Sequence, residues 1–284
     1  MKLYKYRSTS KYSLEGLINN ELFFATYEQF NDPFEFGNPA SDLVKYNKNA
    51  RIQLRKLYEE KELSRKDFLH LNGFVAKPPE KVLKERESTL DRIREDIKSI
   101  GIVCLSEVEN NILMWSHYGE EHRGFCIEFN DLDQNISAPC DAINVKYLNE
   151  FEDLNDPGML IDFYRIMFCD NKKLSKFEWE MKYRDLANQI SKSEETTLAK
   201  STIGNKYIDW SYEKEVRLVS KSNGAIKYDP HSIKSIIFGL RMSESDKKTI
   251  MNICDCDDKQ HIRFKQAIKQ EFSYGLRIVN VNDV

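Results

Sequence analysis

Residues 101–129 read GIVCLSEVENNILMWSHYGEEHRGFCIEF, and their order decides the fold class. GIVCLS is a short, nearly continuous apolar run of strand length. NILMWSHY reads as a short helix closed by Gly119, because glycine readily ends helices. GFCIEF is a second strand. Working outward, LYKYR near the N-terminus alternates as a strand, with Leu3 and Lys5 on one face and Tyr4 and Tyr6 on the other. Ser13 is the expected cap of a helix over LEGLINN, and ELFFATYEQF is a second strand or strand and turn. INVKYL, IDWSYEKEVRLVS, SIIFGL and LRIVNV follow as further strands. Residues 43–100 and 158–200 carry helical spacing instead, the first with an apolar face at Leu54, Leu57 and Tyr58, a second at Leu90, Ile93 and Ile97, and a break at Lys77-Pro78-Pro79.

Short strands interrupted by two helical insertions predict an α+β fold with a mixed, mainly antiparallel sheet as its core. The chain reads as a single domain over 1–284, with insertions at about 43–100 and 158–200 that serve as lids or partner-docking arms. Regular βαβ repetition is missing, and neither GxGxxG nor GxxxxGK[ST] occurs, so Rossmann dehydrogenase and P-loop readings lack support. At 284 residues the chain is long enough for a full core without disulfide staples. No stretch approaches the roughly 20 apolar residues that cross a bilayer. The polar, basic start MKLYKYRSTSKYS lacks the apolar segment of a secretory signal, so the expected address is cytoplasmic and no membrane partner is expected.

Charge is unevenly placed. Residues 45–98 carry 15 basic and 10 acidic side chains, whereas residues 101–160 carry 2 basic and 12 acidic ones. A phosphate backbone would be repelled by the second segment, which disfavours generic duplex binding and leaves nucleic acid as a substrate at most. Cys104 and Cys126 sit in apolar runs as small hydrophobes. Cys254, Cys256 and His261 do not have the spacing of a structural zinc site, and no metal is expected.

Four stretches carry chemistry. Phe30-Asn31-Asp32-Pro33-Phe34-Glu35 is a side-chain-stabilised turn that either anchors a loop or exposes Asn31 and Asp32 into a pocket. Met114-Trp115-Ser116-His117-Tyr118-Gly119 concentrates amphipathic side chains suited to stacking on a planar ring and bonding its edge. Trp210–Val219, read as one strand, sets Glu213, Glu215 and Arg217 on a single face about 7 Å apart in steps of two. The same pattern serves a charge-balanced solvent face or a pair that stabilises an oxocarbenium-like transition state. Lys5 and Arg7 form the basic tip of the first strand, where arginine suits a pyrophosphate.

Taken in order, LYKYRS, FATYEQFNDPFE, VCLSE, NILMWSHYGEEHRGFCIEF and WSYEKEVRLV resemble a widespread bacterial family, domain of unknown function 2971, from about Leu3 to Val219. That family name implies no activity. The chain also resembles the ADP-ribosyltransferase fold, whose members place Arg or His on the first strand and Glu, often within Glu-x-Glu, on a late one. Arg7 and Glu213-Lys214-Glu215 match those two ends. The Ser-Thr-Ser element departs: here Ser8-Thr9-Ser10 directly follows Arg7, and Thr26 or Ser106 would have to take its place.

This second resemblance implies an NAD-dependent ADP-ribosyltransferase-like enzyme, a toxin or phage-defence effector, with NAD as a substrate. Glu215 and Glu213 would be catalytic, with His117 at the ring edge. Arg7 would hold the pyrophosphate, and Tyr118 or Trp115 would stack on nicotinamide. Tyr6, Asn31, Asp32 and Ser106 would complete the nucleotide site. Two alternatives stay open. One is a metal-dependent nuclease using Asp32, Glu35, Glu107 and Glu128. The other is a non-catalytic nucleotide-sensing or protein-interaction module, with a protein partner docked through the helical insertions.

Overall fold

The computed structural model describes residues 1–36, 43–76, 95–150 and 199–281, with isolated positions between 88 and 92 and between 161 and 188. The chain divides into two compact units. One holds Met1–Glu35, Lys98–Asn149 and Gly204–Val284; the other holds Phe36–Ile97 and Glu150–Ile203.

The first unit is α+β. Its main sheet contains β1 (Lys2–Arg7), β3 (Gly101–Ser106), β4 (Phe125–Asn130), β5 (Cys140–Asn144), β8 (Glu215–Ser220), β10 (Ile233–Phe238), β11 (Arg263–Lys269) and β12 (Leu276–Asn280). Their order is β12-β11-β10-β4-β1-β3-β8-β5, and only β10 and β11 run parallel. The sheet is thus mixed and mostly antiparallel, as the strand spacing predicts. Two small pairs stand apart: β2 (Glu21–Phe24) with β9 (Gly224–Lys227), and β6 (Lys146–Leu148) parallel to β7 (Asn205–Tyr207).

Both faces of β1 are buried, which its alternation permits. Leu3 joins Phe24, Phe125, Phe129 and Ile236 on one side; Tyr4 and Tyr6 join Trp115, Cys126 and Ile237 on the other. Against β4 the strand is paired along its whole length, Lys2↔Asn130 to Arg7↔Phe125. Against β3 it is paired at Tyr4↔Ser106 alone. The edge of β3 that β1 leaves is met further along by Ala25, which exchanges two 2.9 Å backbone bonds with Ile102. The sheet therefore parts between β1 and β3, and the parting is where the site lies.

Three local expectations change. The cap of α1 (Lys11–Asn19) is Ser10, whose hydroxyl accepts from the Ser13 N–H. The helix of the MWSHYG motif, α4 (Ile112–His117), ends on Tyr118, and the left-handed residues beyond it are Glu120, Glu121 and His122 instead of Gly119. Gly119 packs on Trp115 so closely that a Cβ would lie 2.8 Å from its ring, so its glycine is required by space. The region after residue 208 is not one strand. Ile208–Glu213 is a 3₁₀ turn, Lys214 is left-handed (φ 45°, ψ 54°), and β8 begins only at Glu215. A period of two in WSYEKEV satisfies a strand, but burial of its charged residues overrides that propensity.

The sequence also hides α5 (Glu244–Ile253), capped by Ser243, and strands β7, β9 and β11. In the second unit, α2 (Leu43–Glu59) and α3 (Arg65–Ala76) bury Leu54 and Leu71 and stack Tyr58 on Phe68. Lys77-Pro78-Pro79, Leu90, Ile93 and most of 158–200 lie outside the described residues.

Candidate functional site

Where β1 leaves β3, a cleft opens whose space, mouth included, is about 500 Å³. Its walls come entirely from the first unit. Tyr4, Lys5 and Tyr6 of β1 face Cys104, Leu105 and Ser106 of β3, and Tyr118, Asn31, Lys206, Glu213 and Glu215 complete the lining.

The floor is a cluster of three carboxylates and two cations. Lys206 Nζ lies 2.6 Å from Glu213 Oε2, 3.0 Å from Glu215 Oε2 and 2.8 Å from Glu35 Oε1. Arg217, with no exposed surface, donates from Nε to Glu215 Oε1 at 2.7 Å and lies 3.2 Å from Glu35 Oε2. Glu35 is held at ion-pair distance without hydrogen-bond geometry at either oxygen. Flat rings back the cations: Lys206 Nζ is 5.0 Å from the Trp210 centroid and the Arg217 guanidinium 5.6 Å from that of Phe30.

Each group is delivered by local structure. Asp32 Oδ1 accepts from the Phe34 N–H at 2.9 Å, and its carbonyl accepts from the Glu35 N–H, which turns Glu35 inward. Asp32 thus shapes the loop, while Asn31 reaches the cleft. Ser106 Oγ donates to the Glu213 carbonyl at 2.6 Å, Asn111 to the Tyr212 carbonyl, and the Glu107 N–H to the Lys214 carbonyl. These bonds tie the 3₁₀ turn to the β3–α4 loop. The left-handed Lys214 then swings Glu213 and Glu215 onto one lysine. A continuous strand would set them side by side on one face instead.

The two acids differ. Burial raises both, but for Glu215 the attraction of Arg217 and Lys206 outweighs it and holds the carboxyl down to about 2. For Glu213 burial wins over Lys206 and Tyr118, and its pKa lies above the ordinary carboxylate value. Tyr118 donates to Glu213 Oε1 at 2.6 Å, and burial keeps that phenol protonated. The Glu215 N–H donates to Tyr147, whose phenol burial pushes up to about 12.

Other expected site residues sit elsewhere. Trp115 is fully enclosed: it donates to the Glu109 carbonyl at 2.9 Å and meets Tyr6 edge-on at 5.1 Å, so it supports the cleft wall from behind and offers no face to a ligand. His117 is exposed, bonded through Nδ1 to the Tyr212 hydroxyl at 2.9 Å, and does not line the cleft. Arg7 is also outside the lining; burial lowers its pKa, and Tyr228 partly offsets that. Tyr6 lines the cleft while its hydroxyl is spent on the Val108 carbonyl. The acids of the nuclease reading are dispersed: Glu128 is bound by Lys2, Lys265 and Ser235, and no metal-holding group of three forms among the described residues. Cys256 donates to Asp258, and His261 bonds the Ile233 carbonyl.

Sequence reasoning missed Lys206, the centre of the cluster. It lies in a three-residue strand with no motif around it, and its only signal is a lone lysine just ahead of an aromatic-flanked Glu-x-Glu.

Residues 114–218 match the family model described as protein of unknown function, DUF2971. That span contains Tyr118, Lys206, Glu213, Glu215 and Arg217, while β1 and Glu35 precede it. No curated protein and no solved structure matches the chain at a significant level.

Proposed function

We propose, for a chain whose residues 114–218 fall in the DUF2971 family, that the cleft cleaves the N-glycosidic bond of a nucleotide, in the manner of an NAD-dependent ADP-ribosyltransferase or NAD glycohydrolase. One observation carries the reading: a Glu-x-Glu pair held in opposite protonation tendencies on the floor of a tyrosine-lined cleft. Glycosidic cleavage builds positive charge at the anomeric carbon, and a fixed carboxylate beside it lowers the barrier. Glu215, ionised at neutral pH, fits that role. Glu213, with its higher pKa and its bond from Tyr118, fits the proton-handling role toward an acceptor hydroxyl or water. Tyr118 supplies a ring at the wall where nicotinamide would stack. Arg7 gains no support as the diphosphate ligand, because it does not line the cleft.

The test is nicotinamide release from NAD by the full chain. Turnover that disappears in Glu215→Gln, with the fold intact, supports the reading. Turnover that survives this change overturns the assigned chemistry.

A second reading rests on the two cations. Lys206 and Arg217 already neutralise most of the cluster's negative charge, which suits a module that senses a nucleotide without cutting it. Tight calorimetric binding of NAD with no nicotinamide released selects this reading.

A further inference from the structure

The cleft contains two lysines in opposite situations. Lys206 is surrounded by three carboxylates, which secure its charge. Lys5 lines the same cleft from β1, and its one side-chain hydrogen bond among the described residues runs 2.7 Å from Nζ to the Cys104 carbonyl. Among the described residues no carboxylate lies within ion-pair distance of it. A carbonyl oxygen holds an ammonium more strongly than a neutral amine, but it accepts from either, and without a carboxylate at hand that contact alone does not fix the charge on Lys5.

We infer that Lys5 is a carbonyl-reactive amine that condenses with the aldehyde of a small reducing sugar admitted to the cleft. Ser106 and Tyr118 already donate to Glu213 and so meet a ligand as acceptors; with Asn31 they give a largely apolar lining the few polar groups that a short polyol requires. The groups facing Lys5 explain why its amine is free to react. Burial and the neighbouring Arg7 lower its pKa to about 8, and the opposing influences of Cys104 and Cys126 and of Glu215 on β8 leave it there. Lysines become nucleophiles in this way, by desolvation beside another cation.

The step balances without an oxidant. The Nζ lone pair attacks the aldehyde carbon, the carbonyl electron pair moves to oxygen, and that oxygen takes a proton to give a carbinolamine. The hydroxyl then leaves as water, taking a second proton, while Nζ loses its two protons to become an imine nitrogen. Glu213 is the acid in the lining suited to carry those protons. The reactivity is independent of whether the cleft also cuts a nucleotide, so failure of one does not decide the other.

The experiment exposes the folded full-length chain to glyceraldehyde with sodium cyanoborohydride, then maps the reduced adducts by peptide mass spectrometry between pH 6.5 and 9.5. Lys5 is expected to be labelled about tenfold faster than the exposed lysines near pH 7.5, with a rate midpoint near pH 8, against about 10.4 for an ordinary lysine. Lys206 is expected to stay unlabelled, and urea is expected to abolish the Lys5 advantage. Lys5→Arg, which keeps charge and length, removes that adduct alone; if this variant fails to fold, the wild-type map still decides. Labelling of Lys5 no faster than the exposed lysines, or none at pH 9, overturns the inference.

Discussion

Glu213 and Glu215 flank one residue and share one lysine, yet their substitution should have unequal effects. Glu215 holds two buried cations, and Arg217 has no access to water. Breaking a buried pair from one side leaves a charge uncompensated, at a cost of roughly 3–5 kcal/mol. Glu215→Gln is therefore expected to lower the unfolding free energy by an amount of that order, read by urea titration. Glu213, whose carboxylate burial disfavours and which meets Lys206 but not Arg217, has less charge attraction to lose on conversion to Gln, and a smaller loss of about 1 kcal/mol is expected. Equal losses for the two variants would mean that the cluster does not distinguish its acids. His117 belongs to a different class. Its one bond is to the exposed edge of Tyr212, so His117→Asn should cost about 1 kcal/mol or less and leave nicotinamide release unchanged. A large drop in turnover at unchanged stability would return His117 to the site.

At the scale of elements, the junction between the 3₁₀ turn and β8 positions the chemistry. Lys214 adopts φ 45° there, a conformation that L-residues other than Gly, Asn and Asp occupy at a cost of roughly 1–2 kcal/mol. Lys214→Gly should be neutral or stabilising by up to about 1 kcal/mol and keep activity. Lys214→Pro, whose ring demands φ near −65°, should separate the carboxylates and abolish function. Activity of the proline variant comparable to wild type would show that the junction geometry is dispensable. The opposite end of β1 is just as constrained. A Cβ on Gly124 would lie 2.1 Å from the Arg7 carbonyl, so Gly124→Ala must push β4 away from β1. A loss of about 1–3 kcal/mol in a thermal melt is the expected signature of such overpacking.

Across the whole molecule these groups set the pH dependence of stability. The Glu215 carboxyl titrates at about 2 in the fold against 4.5 in the unfolded chain. Its contribution is therefore complete above pH 4.5 and is lost as pH falls toward 2, where the unfolded chain takes up the proton first. Glu215→Gln should flatten that part of an acid-unfolding curve. Lys5 acts in the same direction at the alkaline end: between about 8 and 10.5 the unfolded chain binds the extra proton, so stability should rise with pH until the buried phenols of Tyr6 and Tyr118 reverse it above about 10. Replacing Lys5 by Met should remove the rise; an unchanged alkaline limb would refute the assignment.

The α+β class and the strands of residues 2–7, 101–106 and 125–130 were legible in the sequence alone, because a period of two and unbroken apolar runs are local properties of the chain. So were Glu213, Glu215, Tyr118 and Asn31 as candidates, since their composition is unusual over a few neighbouring positions, and the structure brings the four to one cleft. What only the tertiary structure decided was which charges meet. Lys206 has no local signature, and Glu35, Lys206 and Arg217 lie on three separate segments. Trp115 and Tyr118 are equally plausible platforms in the sequence, yet one is sealed behind the wall and the other faces the cleft. The reason is physical: ion pairing and burial act over a few ångströms in space, and a sequence records spacing along the chain, not where β1 and β3 part.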